Sequence, residues 1–287
     1  MNQTETGFLT RATPQEIAFA SRSSFLISFS RMERERKLAL IAVYAFCRVV
    51  DDAVDEANTA SEGRTLLTAW REELGRAYSG TATTPLGLAL TAAARTFGVE
   101  QKWLDLVADG VAMDLEPRIY PDLAALEQYT YRVASAVGRA CIPIFGAPDA
   151  HRFAEELGHA LQLTNILRDL VADARLGRVY VPKTLLTAHG VELRVLRGEG
   201  SNADYAANGP VAALVGELAA HAHRHFANAQ SALTPAVQVA LRPPRIMAAV
   251  YRELLTRVQA RGGNLRAPRP RVPHWKKLWL AWRTTAR

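Results

Sequence analysis

Two stretches of this chain place carboxylates one helical turn apart. One is Cys47-Arg48-Val49-Val50-Asp51-Asp52-Ala53-Val54-Asp55-Glu56; the other is Gln162-Leu163-Thr164-Asn165-Ile166-Leu167-Arg168-Asp169-Leu170-Val171-Ala172-Asp173. Residues four apart share a helix face, which pairs Asp51 with Asp55 and Asp169 with Asp173. Like charges at that spacing cost about 0.2–0.5 kcal/mol per pair. Acids at a helix C-terminus also oppose the macrodipole. A cation supplied from outside the polypeptide relieves both penalties. Gln162, Asn165, Asp169 and Asp173 follow at intervals of three, four and four, a stripe of oxygen-bearing side chains on an otherwise apolar helix. Hard oxygen ligands suit Mg²⁺ rather than zinc, and Mg²⁺ binds through one or two carboxylates plus substrate phosphates. Two such stripes on facing helices would hold Mg²⁺ ions against a diphosphate.

Cationic and small residues lie near these stripes. Tyr44, Arg48 and the first acids fall on one face. Arg48 suits an intrahelical pair with Asp52 and also a planar fork for phosphate, and the neighbouring acids favour the fork. Ser21-Arg22-Ser23-Ser24 ahead of the first long helix suits an N-cap and equally an anion, with the cap the plainer job. Arg178 and Lys183, in the connector after the second stripe, clamp a phosphate or belong to an ordinary loop. Asp109, Asp114 and Glu116 read as a solvated face. Glu217, His221 and His225 share a face without the spacing of a zinc site. Ala134, Ser135 and Gly138 permit close approach of a neighbouring helix.

Apolar residues recur at three and four along most of the chain, and alternating β-branched runs are absent, so the fold is all-α. The periodicity predicts helices over 33–56, 62–78, 84–97, 101–115, 122–145, 149–173, 210–232 and 236–260. Between 190 and 210, Gly198, Gly200, Asn202, Asn208 and Gly209 predict the least regular segment. The expected organisation is one domain over 1–260, its core between long helices, and a basic Pro/Trp-rich tail over 261–287.

From Arg261 onward there are eight Lys and Arg and no acid, leaving 27 basic and 28 acidic residues in the body. The net charge of +7 therefore belongs to the tail, and nucleic-acid binding by the body has little support. Trp275, Trp279 and Trp282 share a face among lysines, the pattern of a helix lying on an anionic membrane, in preference to one docked on the body. Cys47 and Cys141 read as buried thiols of a reducing compartment. No secretory signal is expected at Met1–Thr10, and the longest apolar run, Leu38–Cys47, is too short to span a bilayer.

Tyr44-Ala45-Phe46-Cys47-Arg48-Val49-Val50-Asp51-Asp52-Ala53-Val54-Asp55, together with Gln162 to Asp169 and Asp173, resembles the squalene and phytoene synthase family. The likeness runs from about Ser21 to Tyr251. It implies the isoprenoid synthase fold with a central apolar cavity, and Mg²⁺ held by Asp51, Asp55, Asn165, Asp169 and Asp173. It implies prenyl diphosphate contacts at Tyr44, Arg48, Gln162, Arg168 and Tyr251, and at the Ser21 and Ser24 end. Some carotenoid-pathway members place a His near Ser21, so the contacts there are where this chain departs. Arg132 to Arg139 and Lys277-Leu278-Trp279 resemble the branch that makes presqualene diphosphate for hopanoids.

That resemblance implies condensation of two farnesyl diphosphates to presqualene diphosphate; the thiols and the Lys/Trp tail lead us to expect a cytoplasmic enzyme resting on the inner face of the membrane. Dehydrosqualene, squalene and phytoene synthases are the alternatives within the family. A helical membrane-binding scaffold is the alternative outside catalysis. No Gly-rich dinucleotide fingerprint follows a strand, so a nicotinamide cofactor is not expected.

Overall fold

Helix α8, His151–Arg175, is the helix around which the others are arranged. It buries Phe153, Leu157, Leu163, Ile166, Leu167 and Leu170. Its longest contact is with α10, Pro210–Ser231, and it also meets α6 (Leu123–Thr130), α7 (Ala136–Phe145) and α11 (Arg242–Arg261). Apolar side chains spread around more than one face suit a helix with neighbours on several sides. Facing it across the interior is α2, Arg34–Asp55, which buries Leu40, Val43, Phe46, Val50 and Val54. Against the outer side of α2 pack α1 (Pro14–Ala20), α3 (Ala60–Ser79), α4 (Pro85–Phe97) and α5 (Gln101–Ala112). This computed structural model describes residue 9 and residues 11–20 and 32–285. Among them no strand forms, and the one β contact is an isolated bridge, Ile119 to Val179.

Glu73 ties α3 to the start of α4. Its carboxylate accepts from the backbone N–H of Thr83 and Thr84, at 2.9 and 2.8 Å, and from Arg76 Nε at 2.7 Å. Burial alone would raise its pKa, but these donors outweigh burial and hold it below the usual range.

The helix expected over 122–145 is continuous but not regular. It comprises α6 (Leu123–Thr130), a π turn (Tyr131–Ser135) and α7 (Ala136–Phe145). The turn is gripped by two glycines. A Cβ on Gly158 of α8 would come 2.4 Å from Ser135 Cα, and one on Gly110 of α5 would come 2.7 Å from Val133 Cγ1. Ser135 Oγ donates to the Glu155 carbonyl at 2.7 Å. The small residues thus admit a helix, and the π turn re-aims Val133 and Ala134 into a cavity.

The start of α11 departs furthest from the periodic reading. Helix α11 runs Arg242–Arg261 rather than from 236, because Pro243 and Pro244 need the first turn, where no intrahelical N–H is required. The 190–210 segment holds a second π turn, Val195–Glu199, with Gly198 at φ +91°. Two short helices were not anticipated, α1 and α9 (Lys183–Ala188). The tail forms α12, His274–Thr285, packed against α11.

Candidate active site

Both acidic stretches open on one interior space. A polar cavity of about 410 Å³ is lined by Asp51 and Arg48 from α2 and by Asn165, Asp169 and Asp173 from α8. It adjoins an apolar cavity of about 700 Å³ walled by Val43, Val137, Leu161, Val250 and Leu254. Tyr44, Gln162, Asn165 and Arg168 line both spaces. Tyr251 faces the apolar one. Asp55 does not line the polar cavity but pairs with Arg178, which does. Ser21 and Ser24 lie outside the described residues.

The end of α8 explains how Arg178 reaches α2. Gly177 takes φ +81°, Arg178 N–H bonds the Asp173 carbonyl at 2.9 Å, and Gly177 N–H bonds Ala174 at 3.2 Å. This is a Schellman motif, which needs a left-handed residue after the cap. It swings the Arg178 guanidinium to within 2.6 Å of Asp55. The connector's two cations therefore part company, since Lys183 is exposed at the start of α9.

The four carboxylates of the stripes are not electrostatically equivalent. Asp51 is pushed up to about 6, by burial first and then by Asp55. Asp173 is pushed up to about 7, by burial and then by Asp169. Burial also presses on Asp169, yet Arg168 and Arg269 hold it below the usual range. Arg168 Nε lies 3.0 Å from both its oxygens, and Arg269 Nη2 lies 2.7 Å from one. Arg48 pairs with Asp52 at 2.5 Å and stands 3.7 Å from Asp51, so it makes the intrahelical contact while lining the polar cavity.

Three groups in this space were not singled out by spacing. Asp114 lines the polar cavity, whereas Asp109 and Glu116 make surface pairs with Arg71 and Arg64. Tyr129 and Tyr180 donate to its two oxygens at 2.8 and 2.9 Å. Their rings stack at 5.0 Å, with Tyr120 tilted against Tyr129 at 5.5 Å. Asp114 is raised by burial despite those donors. Arg269, from the tail, is the third. Nothing in sequence distinguished Asp114 from Asp109 five residues earlier, or Arg269 from the other tail arginines.

The α10 residues behave differently from a metal site. Glu217 meets His189 at 2.7 Å and His225 meets Glu156 at 2.7 Å, while His221 contacts Arg224. Among the described residues no three His, Cys, Asp or Glu side chains gather closely enough to hold an ion on their own. Asp51, Asn165, Asp169 and Asp173 bring carboxylate and amide oxygens to the polar cavity, and Asn165 Oδ1 is buried with no hydrogen-bond partner among the described residues. With Asp51 and Asp173 both raised, this set fits hard divalent ions that also take oxygens from a phosphate.

A family model described as squalene/phytoene synthase matches residues 20–276. The chain belongs to the squalene/phytoene synthase family. This synthase is 36% identical over 272 residues to the presqualene diphosphate synthase of Zymomonas mobilis, covering 93% of this chain and 89% of the relative. It is 36% identical over 279 residues to the one of Rhodopseudomonas palustris, covering 94% and 96%. Its fold superposes on a ligand-bound dehydrosqualene synthase with a TM-score of 0.82 at 27% identity, covering 95% and 94% of the two chains. A squalene synthase of Alicyclobacillus acidocaldarius gives 0.77 at 27%, covering 88% and 93%. The synthase is thus a prenyl transferase of the isoprenoid synthase fold, and its relatives support head-to-head condensation of prenyl diphosphates as the reaction.

Proposed function

We propose that this synthase joins two farnesyl diphosphates to give presqualene diphosphate, with Mg²⁺ held by Asp51, Asp55, Asn165, Asp169 and Asp173. The observation that carries the reading is the junction of the two cavities, one acid-lined and one apolar, along Tyr44, Gln162, Asn165 and Arg168. Diphosphate heads belong in the first and prenyl tails in the second. The relatives named presqualene diphosphate synthase support the choice of product.

Bound Mg²⁺ would supply charge neutralisation at the leaving diphosphate. Arg48 and Arg168 present planar guanidinium donors to that diphosphate as the C–O bond of one substrate breaks and the electron pair leaves with oxygen. The allylic cation left behind faces Val43, Val137, Val250 and Leu254, a wall that offers no water to capture it. The double bond of the second chain attacks the cation. Loss of one proton closes the cyclopropane, so the products are presqualene diphosphate, diphosphate and H⁺.

The test is incubation with farnesyl diphosphate and Mg²⁺, with and without NADPH, and identification of the product. Presqualene diphosphate in both arms is expected. Dehydrosqualene or squalene as the sole product would replace the reading with another member of the family, and no condensation would refute it.

The tail extends the reading to location. Among the described residues no helix is long and apolar enough to cross a membrane. The basic charge of the tail and its exposed tryptophans support attachment to the surface of an anionic bilayer.

A further inference from the structure

Helix α12 is amphipathic the wrong way round for a helix docked in water. Trp275, Leu278, Trp279 and Trp282 are 67%, 50%, 42% and 66% exposed, and all lie on the outer face. Lys276, Lys277, Leu280 and Ala281 are turned inward. Lys276 Nζ lies 2.8 Å from Glu253 of α11, and Lys277 and Ala281 line the apolar cavity. Burial of apolar area would drive the opposite orientation if water lay outside. Three tryptophans set outward on a basic strap match the interface of an anionic bilayer, where amphipathic rings settle at the headgroups.

The strap before α12 is pinned. Arg266 donates to the Gly200 carbonyl at 2.6 Å and to Asn202 at 2.9 Å, and its guanidinium lies over Tyr205. Leu265 and Val272 are buried. Arg269 reaches Asp169. Beyond Val272 and Pro273, the contacts to α11 are those of one helix face. One helix, about 10 Å across, therefore stands between the prenyl cavity and whatever lies on the tryptophan side.

We propose that α12 is a door between the apolar cavity and the bilayer: seated on anionic lipid by its tryptophan face, it swings at Pro273 and lets apolar chains pass directly between cavity and membrane. The proposal rests on the membrane-surface reading above and adds a route to it. The apolar chains of presqualene diphosphate enter lipid without crossing water, with its attached diphosphate following to the headgroups, and the released inorganic diphosphate departs through the polar cavity.

Cys47 and Cys141 line the cavity behind the door and provide a readout independent of turnover. The full chain is mixed with vesicles of phosphatidylglycerol and phosphatidylcholine carrying a long-chain alkyl maleimide. Sedimentation and the rate of labelling of the two thiols are then measured. The parallel variant is W275S/W279S/W282S, whose changes fall on exposed positions and spare the fold.

The chain is expected to sediment with anionic vesicles and to be labelled severalfold faster than with the same probe in detergent micelles. The variant is expected to lose both effects. Failure to sediment would overturn the membrane reading and this proposal together. Sedimentation with no change in labelling, or faster labelling that survives in the variant, would overturn the door alone.

Discussion

Asp51 and Asp169 hold corresponding places on facing helices and carry opposite electrostatic burdens. Asp51 meets burial and Asp55, with its nearest guanidinium nitrogen 3.7 Å away, whereas Asp169 sits between two arginines. Asp51→Asn should therefore raise stability in metal-free buffer by about 0.2–0.5 kcal/mol, since one like-charge pair is relieved. Asp169→Asn should lower it by roughly 1–3 kcal/mol, because Arg168 and Arg269 lose a charged acceptor. Urea unfolding of the two variants checks this, and equal shifts of the same sign would contradict it. The sequence alone implied relief of repulsion at both positions. The difference comes from Arg168 beside Asp169 and from Arg269, a hundred residues away along the chain, which no local spacing could place.

At the scale of elements, the acidic ends of α2 and α8 were legible because a stripe at three and four has one structural meaning. The π turn between α6 and α7 was not, since Tyr131 to Ser135 keeps helical composition and the distortion is set by Gly110 and Gly158 on other helices. Gly158→Ala should cost about 1–3 kcal/mol or more, as the methyl meets Ser135 backbone rather than a side chain that can yield. A thermal melt unchanged by the substitution would contradict that packing.

Where α6, α8 and α10 meet, His159 Nδ1 is 2.7 Å from Thr130 Oγ1 and its ring stacks on His225 at 4.8 Å. His225 in turn meets Glu156, and Glu127 lies 3.6 Å from it, with Tyr131 on the other side of His159. Burial, then His225, lowers His159 to about 4 from 6.5. The folded state keeps the ring neutral while the unfolded chain takes up a proton below about 6.5. Stability should thus be full above that pH and decline as pH falls toward about 4. His159→Gln should flatten this part of the stability–pH curve, and an unchanged slope would count against it.

For the molecule as a whole, composition located the positive charge in the tail, and periodicity gave its helix three tryptophans on one face. Sequence could not show that the same helix walls the cavity, because Lys277 and Ala281 acquire that role from α11 packing beside them. Docking of α12 on α11 is therefore compatible with the membrane-surface seat proposed for its tryptophans. Removal of residues 274–287 should open the apolar cavity to water, so the ratio of farnesol to condensed product should rise in detergent. An unchanged ratio in the truncated chain would show that α12 does not seal the cavity.

The proposed reaction presupposes that the carboxylates of α2 and α8 act together on a diphosphate through divalent ions. The most direct test is steady-state consumption of farnesyl diphosphate across a Mg²⁺ titration by the wild-type chain, Asp51→Asn and Asp169→Asn. Wild-type turnover should rise with Mg²⁺ and vanish with chelator, and each variant should fall by on the order of a hundredfold or more. Near wild-type turnover in either variant, or a wild-type rate indifferent to chelation, would contradict the account.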